Sequence, residues 1–145
     1  RGEYLFVYLL APKPDQIAQI RGYASEHNLK IISGGIGNFH FWVDKYSVVD
    51  PLEMLNLMND AAAIVTNTFH GTILSMKLNK PFASFSDKRP KVQMILSQYG
   101  LTSRDASLFS LKDILASAIE YSRVNDLIKD QKTASLEYLR SALND

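Results

Sequence analysis

Two short, unbroken apolar runs, residues 4–10 (YLFVYLL) and 61–66 (AAAIVT), constrain the fold more than any other feature of the chain. A strand that alternates polar and apolar residues can face water on one side, whereas a continuous apolar run must be covered on both, as inside a parallel sheet. After the first run, Pro12 and Pro14 end the strand, and Ile17, Ile20 and Ala24 recur at helical spacing up to Asn28. Residues 29–33 (LKIIS) read as a second strand. Strand, helix and strand in this order predict a right-handed parallel crossover.

Residues 34–49 are less patterned, and 39–43 (FHFWV) are expected as a third strand or as an ordered loop carrying the single Trp. Asp50 is placed to cap the next helix, with Pro51 in its first position, Glu53 completing an acidic capping box, and Leu52, Leu55 and Met58 on its apolar face. The 61–66 strand leads through a tight turn into a short helix over 71–78 that Asn79 can end. Residues 81–85 (PFASF) give another strand, and 92–99 another helix, stopped by Gly100. Ser110 and Asp113 cap a last amphipathic stretch through Ile114, Leu115, Ala118 and Ile119, and the residues onward to Asp145 are expected to be helical. The alternation predicts one α/β domain over residues 1–145, a Rossmann-like doubly wound parallel sheet whose ligands bind beyond the carboxyl ends of the strands.

Composition narrows the chemistry. Cysteine is absent, which removes disulfides, thiolate zinc sites and cysteine nucleophiles from this segment. A net charge of +1 lacks the basic excess that binding a nucleic-acid backbone demands. No apolar run approaches the roughly 18 residues that cross a bilayer. With no secretory pattern in view, a cytoplasmic protein is expected. The first residue is Arg1 rather than Met, and the chain opens abruptly on a strand, so a longer polypeptide is expected.

The segment with the clearest chemistry is Thr66-Asn67-Thr68-Phe69-His70-Gly71-Thr72, which follows a buried strand and opens a helix. Unpaired N–H groups at a helix start, with the helix dipole behind them, favour a phosphate or carboxylate. Gly71 permits close approach, Thr68 and Thr72 offer hydroxyls, and His70 can give or take a proton near neutral pH. Two readings stand at this point: an anion site, or a capped helix with a hydrogen-bonded His.

These residues also resemble the polysaccharide pyruvyl transferase family. The likeness runs from Asp50-Pro51 through Leu55, Ala61-Ala62 and Ile64 to Thr72, on to Lys80-Pro81-Phe82. It continues downstream in Ile95-Leu96, Tyr99-Gly100-Leu101 and Arg104. The resemblance implies the C-terminal half of a two-domain enzyme of the GT-B type. It also implies transfer of the enolpyruvyl carbon of phosphoenolpyruvate to two hydroxyls of a sugar in a surface glycan, as a ketal, without a cofactor. His70 is then the acid or base, with Thr68, Phe69, Gly71 and Thr72 as substrate contacts. Many members carry Arg two residues before the His where this chain has Thr68, so Lys88, Arg89, Arg104 or the missing domain must supply the cation. A catalytic site lying between two domains would leave this segment inactive by itself.

Other signals carry less. Gly35-Ile36-Gly37 begins like a dinucleotide-binding pattern, but His40 stands where the third Gly belongs. His27 lies at a helix end, where a local role suits the dipole, and His40 is either an ordinary loop residue or part of the cleft. Residues 86–90 (SDKRP) are a solvated loop or a rim of the cleft, and Arg104 either reaches the ligand or pairs with Asp105 on the surface. Tyr4, Phe6, Tyr8 and Phe85 read as core, and the histidines lack a carboxylate at metal-ligand spacing, so no metal is expected. Two further functions compete with the pyruvyl transferase: a GT-B glycosyltransferase using a nucleotide sugar, and a non-catalytic module that binds a glycan or an anion.

Overall fold

The computed structural model describes residues 3–34, 40–47 and 50–130. Five parallel strands form one sheet: β1 (Tyr4–Tyr8), β2 (Lys30–Gly34), β3 (Lys45–Ser47), β4 (Ala63–Thr66) and β5 (Phe82–Ser84), in the spatial order β3-β2-β1-β4-β5. Helices α1 (Pro14–Glu26), α2 (Pro51–Asp60), α3 (Phe69–Lys77), α4 (Pro90–Gln98) and α5 (Leu111–Ala116) connect and flank them, and residues 121–130 are helical. The sheet is wound outward from β1 in both directions, so the strand order reverses between β1 and β4. That reversal is where a doubly wound sheet opens a crevice at its carboxyl edge.

The continuous apolar run of β1 divides between two cores, because successive side chains point to opposite faces. Leu5, Val7 and Leu9 join Ala63, Val65 and Ala83 under α1 and α5, against Ile20, Ala24, Leu111 and Ile114. Phe6, Ile64 and Phe82 face the other way, against Met58, Met76, Val92, Ile95 and Leu96 of α2, α3 and α4. Three helices stop by one device. The residue after the cap takes a left-handed conformation (Asn28, φ 54°; Asn79, φ 56°; Gly100, φ 67°), and its own amide and the following one bond back to the last turn.

The third strand corrects the sequence reading. Residues 41–44 are turn and bend, Phe39 lies outside the described residues, and the edge strand is Lys45–Ser47. It is polar because an edge strand covers little core, so periodicity does not mark it. Asp44 fixes its entry, accepting from the Ile31 amide at 2.7 Å while its own amide donates to the Ile31 carbonyl at 2.9 Å. The last amphipathic stretch is also interrupted. α5 ends at Ala116, and Ser117 is extended (ψ 131°), before helix resumes at residue 121. The expected helix beyond residue 130 and the Gly35-Ile36-Gly37 pattern lie outside the described residues.

Candidate functional site

α3 starts at Phe69, two residues earlier than its pattern indicates, with Thr68 as its cap. Thr66, the last residue of β4, donates its hydroxyl to the Tyr8 carbonyl at 2.7 Å and accepts from the Thr68 amide at 3.1 Å. The Thr68 hydroxyl accepts from the Gly71 amide at 2.8 Å. Thr72 donates to the Thr68 carbonyl at 2.8 Å and lies 2.8 Å from the Ser84 hydroxyl. Thr66, Thr68, Thr72 and Ser84 are all buried, so these hydroxyls hold α3 onto β4 and β5.

This corrects the expected roles of three residues. The hydroxyls of Thr68 and Thr72 point into the fold. A Cβ at Gly71 would sit 2.2 Å from Thr66 Oγ1, so the missing side chain gives room to the strand end rather than to a ligand. Gly71 N–H is taken by the cap and Thr72 N–H by the Thr68 carbonyl, which leaves Phe69 and His70 as the first-turn amides without a partner inside the helix. His70 is exposed, and its ring meets Phe69 edge-on at 5.9 Å.

The reversal point between β1 and β4 is held shut by Asn67, a residue that the sequence reading gave no separate role. Its side chain accepts from the Leu10 amide and donates to the Leu10 carbonyl, both at 2.8 Å. Arg89 donates to the same carbonyl at 2.9 Å from Nη2, and Lys13 pairs with Asp87 across the same loop. Asp105 supports the far side, accepting from the Ser86 hydroxyl and from the Ser107 amide at 2.9 Å. The 86–90 loop is therefore bound to the carboxyl edge.

Between the starts of α3 and α4 lies a cavity of about 420 Å³ lined by Asn67, Phe69, Arg89, Pro90, Lys91 and Val92. The cap residue of α4 makes no side-chain bond to the helix start, and Pro90 has no N–H, so the Lys91 amide is free to face a ligand. Two helix starts and two cationic side chains thus border one largely apolar chamber, which suits an anion with a small carbon skeleton. Of the expected contacts, Phe69 and Arg89 line it. Lys88 is exposed with φ 56° and is not part of its wall, nor is His70.

Arg104 lies elsewhere: it does not line this chamber, and it is not paired with Asp105 on the surface. Its side chain is 2% exposed, and it donates to the Phe82 carbonyl at the start of β5 and to the Ser117 carbonyl. Asp105 bonds to Ser86 and Ser107 instead of pairing with it. His40 sits just past β1, with Nε2 3.1 Å from the Leu9 carbonyl, and burial lowers its pKa. His27 stacks on Tyr23 at 4.0 Å and bonds to the Tyr23 carbonyl through Nδ1, a helix-end role. Among the described residues no cluster of potential metal ligands occurs.

The sequence model of the polysaccharide pyruvyl transferase family matches residues 2–89. The chain belongs to that family. Neither a curated protein nor a solved structure matches it. The pyruvyl transferase match spans the whole parallel sheet and ends on Arg89, so it includes the Asn67 clamp and one wall of the cavity. Lys91 and Arg104 lie beyond it. No helix among the described residues is long and apolar enough to cross a membrane.

Proposed function

We propose that this chain transfers pyruvate from phosphoenolpyruvate to a sugar of a surface glycan, as the donor-side half of a two-domain, cytoplasmic enzyme of the GT-B type. The observation that carries this reading is the pairing of Arg89 and Lys91 on the wall of one chamber between two helix starts. Phosphoenolpyruvate is a three-carbon dianion or trianion, and its charge matches those cations and the free amides of Phe69, His70 and Lys91. Arg89 and Lys91 take over the role of the cation absent at position 68.

The chemistry then divides as follows. An acid protonates the methylene carbon of the enol, one sugar hydroxyl attacks the adjacent carbon and gives its proton to a base, and phosphate leaves with its bonding electrons. The second hydroxyl closes the ketal, and its proton departs to a base. His70, exposed and next to Phe69 of the chamber wall, exchanges these protons with a substrate that extends out of the chamber. The amides and cations stabilise the charge that collects on the departing phosphate.

The test uses the full-length protein. Phosphate release from phosphoenolpyruvate is measured against a panel of sugar acceptors, with nucleotide sugars as competing donors. Phosphate release that depends on an acceptor supports the proposal. Nucleotide release without phosphate release would assign a glycosyltransferase instead, and binding without turnover of either donor would assign a non-catalytic module.

A further inference from the structure

Arg104 is the bulkiest fully buried side chain among the described residues. Its Nε donates to the Phe82 carbonyl at 2.9 Å, its Nη1 donates to the Ser117 carbonyl at 2.8 Å, and its Nη2 has no acceptor. The Phe82 ring lies 5.9 Å from the guanidinium carbon. A guanidinium offers five N–H groups and stays charged at any physiological pH. Two carbonyls and a ring face leave that charge without a counter-ion, because the ion pair among the described residues is Lys13–Asp87. An uncompensated buried charge is strongly unfavourable, and an orphaned buried donor calls for a partner from outside the protein.

Arg104 also forms part of the wall of a second cavity, of about 240 Å³, which it shares with Tyr99, Ser103, Ser117, Glu120 and Arg123. Helices of a parallel sheet start at its carboxyl edge and run back to its amino edge. The Tyr99 side of the cavity is the end of α4, and Phe82 is the first residue of β5. The cavity therefore lies at the amino edge, across the molecule from the Thr68 turn.

We propose that this cavity is a second anion site, in which Arg104 and Arg123 bind a small oxyanion such as a phosphate or carboxylate group. The anion supplies both the missing acceptor and the missing negative charge, as charge-assisted hydrogen bonds do best. Arg104 already joins the start of β5 to Ser117, and Arg123 stands on the helical segment 121–130. A bound anion thus clamps three parts of the fold, and by mass action it stabilises the folded state. Glu120 lines the same cavity and repels the anion. The site is independent of the donor chamber.

Thermal melting of the full-length protein tests it, with inorganic phosphate or acetate added against chloride at matched ionic strength. At roughly 100 times the dissociation constant the melting temperature should rise by roughly 5 °C or more. Arg89→Ala, which removes a cation from the donor chamber, should leave this response in place. Because Arg104 belongs to the core, the exposed Arg123 carries the test. Arg123→Ala should weaken the response at least tenfold with an unchanged melting temperature in chloride, and Glu120→Gln should strengthen it. A response in acetate equal to that in phosphate identifies a carboxylate ligand, and one confined to phosphate identifies a phosphate. An equal response in Arg123→Ala and the unaltered protein would overturn the proposal, as would no response at all. A response abolished by Arg89→Ala would place phosphate in the donor chamber alone. If Glu120→Gln lowers stability in chloride and adds no phosphate response, Glu120 is the counter-ion and the site is not an anion site.

Discussion

At position 71 the chain passes so close to the end of β4 that a single methyl group would overlap the Thr66 hydroxyl, the group that also holds Tyr8. Gly71→Ala should therefore destabilise the fold by about 1–3 kcal/mol, the usual cost of overpacking, measured by denaturant unfolding. An unchanged midpoint would show that the turn relaxes without cost. Thr68→Ala removes the cap on the Gly71 amide and should cost about 1 kcal/mol. Thr68→Arg would lose the same bond and force a guanidinium into a buried position, so it should not restore a cation to the donor site. His70 differs in kind, since it is exposed and its imidazole holds no described element in place. His70→Ala should lower turnover of the full-length enzyme by roughly 100-fold with an unchanged melting temperature. Loss of activity only in step with unfolding would make it a structural residue.

Between elements, the carboxyl edge depends on Leu10, whose backbone is held by Asn67 and Arg89 together. Asn67→Ala leaves the Leu10 amide without its partner and the Leu10 carbonyl to Arg89 alone, and each lost hydrogen bond costs about 0.5–1.5 kcal/mol. Its melting temperature should fall, and the donor KM should rise because the clamp borders the chamber. Arg89→Ala should raise that KM with little effect on stability, since the Asn67 bonds to Leu10 remain. An unchanged KM would remove Arg89 from the donor site. On the opposite edge, the Tyr121 hydroxyl donates to the Lys80 carbonyl and ties the 121–130 segment to the end of α3. Burial raises its pKa above the ordinary 10.0, so folding favours the protonated phenol. This contribution is complete below pH 10 and is lost as the pH rises further through the alkaline range. Stability should therefore fall above about pH 10, and less steeply in Tyr121→Phe. Equal slopes for the two proteins would show that the phenol stays protonated for another reason.

For the whole molecule, how much could be read in advance follows from where each residue ends up. β1 and β4 were legible because both faces of a central strand are covered, which writes a continuous apolar run into the sequence. Asp50, Asn79 and Gly100 marked helix boundaries because caps and left-handed turns restrict residue type locally. β3 left little trace, since an edge strand of Lys45-Tyr46-Ser47 buries little. The sequence by itself thus determined the alternation of elements, the parallel sheet and the turn at Thr68, because burial pattern and capping are properties of neighbours along the chain. Only the tertiary structure decided which groups at that turn are free. The hydroxyls of Thr68 and Thr72 are taken up by partners on β4 and β5, Arg89 and Lys91 come to share a chamber with Phe69, and Arg104 is carried into the core. Those outcomes depend on contacts between residues far apart in the chain, and no local pattern encodes the distance between them.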